Sequence, residues 1–269
     1  MATDEAIDTA ILLAAGEGQR LRSVAPIKPL CVVGGQPLLD HAITGLAKAG
    51  LKRAIIVLGY EAEPIAAHLA ARSWPLEIET VSVADYLRPN GVSVLAARHR
   101  VGRSNALLVM GDHLVEPRLY RLMAAQRSFT GTRLAVDRRI DNPYVDLMDV
   151  TRVKTQAGRI IAIGKLLPDF DCFDTGVFAI GNLFFEALDR LNSPSVTEGV
   201  RALIPQGLAC AIDCGRCDWI DVDDDAALHK AERWLARPSA PPEMLGRSYL
   251  PAPFMPDDAS RGGGTEPAS

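Results

Sequence analysis

Short apolar runs that stop at small or polar residues recur through the first half of the chain, each followed by a segment with helical spacing. Residues 10–15 are apolar and end at Gly16. Over 37–49, Leu38, Leu39, Ala42, Ile43 and Leu46 share one helical face, and Gly50 supplies a stop. The run 54–58 reads as a strand, 61–71 as a helix, 77–81 as a strand and 92–98 as a helix. A further apolar strand over 106–110 ends at Gly111-Asp112. Continuous apolar strands alternating with helices predict βαβ units around a sheet covered on both faces. Ligands of such sheets collect beyond the carboxyl ends of the strands, so Gly16 and Asp112 are expected on one rim.

The second half changes character. Segments 147–154 and 159–163 flank Ala157-Gly158 and read as a β-hairpin. A strand over 177–180, helices over 182–190 and 195–204, a short strand over 219–222 and a helix over 223–236 follow. Acids at the start of the last helix suit its dipole. The expected architecture is a three-layer α/β/α domain with a mixed, mostly parallel sheet, spanning residues 1–237. Residues 238–269, rich in Pro, Gly, Ser and Ala, are expected to form a disordered tail.

Composition narrows the classes. The chain has 269 residues, 48% of them hydrophobic, enough for a large core. A net charge of −4 gives no general electrostatic case for nucleic acid. No apolar run reaches the length of about 18 residues that a membrane helix needs. The acidic start lacks a signal peptide's basic and apolar regions, and five cysteines suggest a reducing compartment, so the expected location is cytoplasmic. Cys210, Cys214 and Cys217 have a spacing that an iron–sulfur cluster could use. Cys210, Ile212 and Cys214, however, alternate like one strand face, and we read the thiols as small hydrophobes.

Candidate chemistry begins at Leu13-Ala14-Ala15-Gly16-Glu17-Gly18-Gln19-Arg20-Leu21, with Lys28-Pro29-Leu30 behind it. Small residues after a strand let backbone N–H groups approach an anion. Arg20 offers a bidentate phosphate ligand and Lys28 a compact charge, so together they predict a triphosphate cradle. A dinucleotide fingerprint would need glycine at Leu21, and a Walker A loop would need Gly-Lys-Ser/Thr. Mg²⁺ binds through one or two carboxylates plus substrate phosphates. Asp112, at the end of a strand, suits that need. Trp219-Ile220-Asp221-Val222-Asp223 supplies a second acid: Asp221 shares a strand face with Trp219, as does Asp223 if the strand continues. His113 is read as a structural neighbour of Asp112.

These motifs resemble the signature of the nucleotidyltransferase superfamily, with its Rossmann-like fold; Gln19 stands where that family usually carries Thr or Ser. The resemblance implies nucleotide contacts from residues 13–18 (Leu13, Ala14, Ala15, Gly16, Glu17 and Gly18), catalytic roles for Arg20 and Lys28, and Mg²⁺ on Asp112 and Asp221, with Asp223 a weaker substitute. Arg88–Ser93 lies where the family recognises base and ribose, which implicates Asn90, Gly91 and Ser93. With Lys165 and Asp174 matching acceptor-pocket positions, the chain most resembles the inositol-1-phosphate cytidylyltransferases. That resemblance implies CMP transfer from CTP to inositol 1-phosphate, with product supplied to a membrane CDP-alcohol phosphotransferase. Other acceptors (a sugar 1-phosphate, phosphocholine or a molybdopterin-type cofactor), a nucleotide-sugar-dependent glycosyltransferase and a non-catalytic nucleotide-binding module remain open at this stage.

Overall fold

The order of elements follows the alternation of apolar runs closely in the first half. The computed structural model describes residues 6–237. It opens with β1 (Thr9–Ala14), a small ribbon of β2 (Val32–Val33) and β3 (Gln36–Pro37), α1 (Leu38–Lys48), β4 (Arg53–Leu58), α2 (Ala62–Ala70) and β5 (Glu77–Ser82). Then come α3 (Gly91–Val101), β6 (Ala106–Met110), β7 (His113–Val115) and α4 (Pro117–Ala124). The second half holds β8 (Thr132–Asp137), β9 (Arg152–Gln156), β10 (Arg159–Gly164), β11 (Cys172–Ile180), α5 (Asn182–Asp189), α6 (Val196–Leu203), β12 (Ala209–Asp213), β13 (Trp219–Asp221) and α7 (Asp225–Leu235).

Nine strands form one mixed sheet in the order β5-β4-β1-β6-β11-β8-β12-β10-β9. β5, β4, β1 and β6 are mutually parallel, β11 enters antiparallel, and β12 runs parallel to β8. Strand alternation divides the core. Leu12, Ile56 and Val109 face α1, α2 and α4 through Ile43, Ile65 and Leu119. Ile11, Ile55 and Leu108 face α3, α5 and α6 through Val94, Phe184 and Val200. Three layers result, as expected from strands apolar on both faces.

Three local readings need correction. The segment 147–150 is a turn, and the hairpin's first strand starts only at Arg152. The cause is local: Asn142 Oδ1 accepts from Tyr144 N at 3.0 Å and Asp146 Oδ1 accepts from Met148 N at 2.9 Å, side-chain bonds that replace a ladder. The last helix starts at Asp225, because Asp224 caps it by accepting from Ala227 N at 2.8 Å. β11 begins at Cys172, five residues before the expected strand. The expected disordered tail, 238–269, lies outside the described residues; within them the chain up to Ala236 forms one compact unit.

Candidate functional site

β1 ends at Ala14, and two neighbours close on the loop that leaves it. Gly111 N donates to Leu13 O at 2.9 Å, and Tyr60 N donates to Ala15 O at 3.0 Å. A Cβ on Gly111 would sit 2.5 Å from Leu13 O, so glycine there lets the end of β6 touch β1. The loop is fastened from below by a third apolar cluster in which Leu21, Val33 and Leu38 meet Leu114, Ile220 and Leu228.

The two loop glycines differ. Gly18 has φ +58, and a Cβ there would lie 2.5 Å from Lys28 Cβ; Gly16 has nothing within 4 Å. Gly18 thus makes room for the Lys28 side chain. Gly18→Ala is expected to displace Lys28, cost about 1–3 kcal/mol and lower kcat, whereas Gly16→Ala should leave the melting temperature of the free protein unchanged. Thermal melts and initial rates on both variants check this; equal melts would overturn the distinction.

Asp112 and Asp221, 109 positions apart in the chain, are joined by a ribbon. β13 pairs antiparallel with β7, setting Asp221 opposite His113, and Val222 N donates to Asp112 O at 3.0 Å. Ligand atoms of Asp112, His113 and Asp221 lie within 4.8 Å of one another, as do those of Asp149, Asp221 and Asp223. Lys28 is buried, with Nζ 2.8 Å from Asp112 Oδ2 and 3.8 Å from Asp221 Oδ1, and it also pairs with Asp223. Arg20 bridges Asp223 and Asp149, and Lys165 pairs with the same Asp149.

The electrostatics separate the two acids. Burial opposes the charge on Asp112, but Lys28 and His113 outweigh it and hold that carboxyl far below its ordinary range. Burial pushes Asp221 up to about 7, aided by the charges of Asp112 and Asp223 and opposed by His113 and Lys28. Asp221 Oδ1 is buried without a hydrogen-bond donor. A buried carboxylate oxygen lacking a donor, beside a second carboxylate, fits the hard-oxygen ligation a divalent cation requires.

Comparison with known proteins identifies the family. The model of the MobA-like NTP transferase domain matches residues 10–205. The chain belongs to the MobA-like NTP transferase family. It is 35% identical over 235 residues to a Bifunctional IPC transferase and DIPP synthase from Rubrobacter xylanophilus, covering 84% of this chain and 51% of that protein. A protein of the same description from Aquifex aeolicus is 29% identical over 234 residues, covering 86% and 52%. The chain therefore spans about half the length of these curated relatives. Among solved structures, the inositol-1-phosphate CTP transferase from T. maritima superposes with a TM-score of 0.77 at 22% identity, covering 86% of this chain and 96% of that one. The chain is thus a nucleotidyltransferase by family, with an acidic group suited to a metal ion. Among the described residues no helix is long and apolar enough to cross a membrane.

Two cavities of this NTP transferase meet at the cluster. The smaller, about 340 Å³, is lined by Leu13, Ala14, Gly16, Gly18, Lys28 and Asp112. The larger, about 580 Å³, is lined by Asn90, Lys165, Asp174, Trp219, Asp221 and Lys230 among others. Arg20 and Asp223 line both. Ala15 and Glu17 line neither: Ala15 is buried, and Glu17 pairs with Arg22 at 3.1 Å. Gly91 and Ser93 are buried on α3 and also line neither cavity; Gly91 packs on Pro194, where a Cβ would lie 2.6 Å from the carbonyl oxygen. Asn90 Oδ1 already accepts from Val196 N at 2.9 Å, tying α3 to α6.

Two acids gain weight over the sequence reading. Asp223, ranked there as a substitute, pairs with both cations of the loop. Asp149 was missed, because its segment reads as strand; the turn-forming Asn142 and Asp146 were the available signal. Cys210 and Cys214 lie on and just after β12, consistent with strand alternation, and all five cysteines are free thiols.

Asp174 accepts from Gly176 N at 2.7 Å, and burial pushes it up to about 6. The native carboxyl therefore keeps its proton up to about 6, while the unfolded one releases it near 3.8. Native protein binds the extra proton between those values, so stability falls as pH rises through that window. Asp174→Asn should remove the effect and gain about 1–2 kcal/mol above pH 7. Melts of both proteins at pH 5 and 8 check it: the gap must widen with pH.

Proposed function

We propose that the chain transfers CMP from CTP to inositol 1-phosphate, releasing pyrophosphate, with Mg²⁺ held by Asp112 and Asp221. The observation that carries this reading is the junction of the cavities: Asp112 faces the loop cavity and Asp221 the larger one. Two anionic substrates can thus meet where the two acids meet. In the transfer, an acceptor phosphate oxygen attacks the α-phosphorus of the nucleotide and the bond to pyrophosphate breaks. A phosphate nucleophile is largely ionised near neutral pH, so no general base is needed. When bound, the cation supplies Lewis-acid polarisation of the phosphate oxygens. The chain itself contributes positioning and charge. The backbone at Leu13, Ala14, Gly16 and Gly18 cradles the triphosphate, Arg20 offsets charge growing on pyrophosphate, and Lys28 neutralises the α-phosphate side.

On the acceptor side, Lys165 contacts the phosphate and Asp174 the alcohol's hydroxyls. Lys230 lines the same cavity and adds a second positive charge on the acceptor side. Asn90 is the remaining candidate for a contact to the base. The names of the curated relatives and of the T. maritima structure support CTP and inositol 1-phosphate over other pairs. The free thiols support a cytoplasmic setting, and a membrane CDP-alcohol phosphotransferase would consume the product. Pyrophosphate release with each NTP against inositol 1-phosphate, sugar 1-phosphates and phosphocholine tests the reading. Turnover of another pair, with none from CTP and inositol 1-phosphate, would sink it.

A further inference from the structure

We propose that Asp137 is a positioning residue for the Asp112–Asp221 pair, acting through the Trp219 indole. Asp137 ends β8, and its side chain is 0% exposed. Its oxygens accept five hydrogen bonds. Four come from the adjoining loop: Arg139 N, Nε and Nη2, each at 2.9 Å, and Asn142 Nδ2 at 2.7 Å. Those donors alone satisfy a buried carboxylate. The fifth, Trp219 Nε1 at 3.0 Å, comes from 82 residues further along the chain. It anchors the polar edge of a buried ring and so sets the ring's in-plane orientation.

That ring bears on the acids. Trp219 stacks on His113 with centroids 6.0 Å apart and planes 10° apart. His113 Nδ1 is 2.8 Å from Asp112 Oδ1 and 3.8 Å from Asp221 Oδ1. Trp219 and Asp221 are two residues apart on β13 and share a face. A second tie runs through Arg139, which donates to Cys217 O at 2.7 Å and pairs with Asp218 at 2.8 Å, just before β13 begins. Asp137 thus holds the strand that carries Asp221 by its entry and by its one large ring. Outer-sphere partners of this kind commonly set metal affinity by 10–100-fold.

This inference rests on the metal reading of Asp112 and Asp221, and the test separates the two. Mn²⁺ binding is measured by electron paramagnetic resonance in the presence of CTP, without acceptor, on wild type, Asp112→Asn, Trp219→Phe and Asp137→Asn. Trp219→Phe keeps a ring against His113 and removes the N–H. It is expected to weaken Mn²⁺ by about tenfold while the KM for CTP moves less than twofold. Asp137→Asn should weaken it at least as much; if that variant does not fold, Trp219→Phe decides alone. A lower melting temperature with unchanged Mn²⁺ affinity in Trp219→Phe would show a merely structural contact and overturn the proposal. If Asp112→Asn binds Mn²⁺ as wild type does, the metal reading itself is wrong and this inference falls with it.

Discussion

Asp112→Asn is expected to lower kcat by about 10³-fold while shifting the melting temperature by no more than about 4 °C. The asymmetry follows from position. Asp112 stands on the rim just beyond β6, and its backbone bond to Val222 N survives the change. What disappears is one of the two charges that, in the proposed reaction, gather a cation and with it two polyanions. The amide still accepts from Lys28, which keeps Asp223 as a partner. The core layers on either side of the sheet are untouched. Saturation kinetics with both substrates, next to thermal melts, check the split. A variant retaining a tenth of wild-type kcat would remove Asp112 from the chemistry.

Lys28→Met should be inactive and also clearly less stable, the opposite pattern. Lys28 is 6% exposed and faces three carboxylates; burial opposes its charge, yet those acids hold its pKa above the ordinary lysine value. Removing one partner of a buried ionic group leaves the others uncompensated, at a cost of about 3–5 kcal/mol. The acids are partly open to water, so the lower end of that range is expected, a fall of roughly 10 °C for a fold of this size. Mg²⁺ should restore part of the loss in the variant, because a divalent cation supplies the missing charge. Melts of wild type and variant with and without Mg²⁺ decide it. A variant that melts with wild type in the absence of metal would mean that Lys28 is not the counter-charge of this cluster.

Much of this was legible in residue order because its causes are local. Apolar runs buried on both faces identified β1, β4 and β6, and the rim rule put Gly16 and Asp112 together. Asp221 could be paired with Asp112 only through resemblance. Of the ribbon that joins them, the strand at 219–222 is legible, but its partner β7 is only three residues long and the pairing of the two leaves no mark in residue order. Asp149 was hidden for the opposite reason: Leu147, Met148 and Val150 imitate a strand, while side-chain bonds from Asn142 and Asp146 fold the segment into a turn. Asn90, Gly91 and Ser93 show another limit. The resemblance implies ligand contact from all three, but Gly91 admits a neighbouring carbonyl and Ser93 is buried, while Asn90 ties two helices and still lines the larger cavity.

The late position of Trp219–Asp221 in the chain also orders events during synthesis. Strands β1 to β12, and with them the whole large sheet, are encoded before Cys214. A ribosome-bound chain can therefore build its scaffold and its phosphate loop while Asp221 and Asp223 are still in the exit tunnel. Only when the last strand zips onto β7 does Lys28 acquire its full set of counter-charges. A nascent or prematurely terminated product would carry the glycine-rich loop and Asp112 without the acids that complete the cluster.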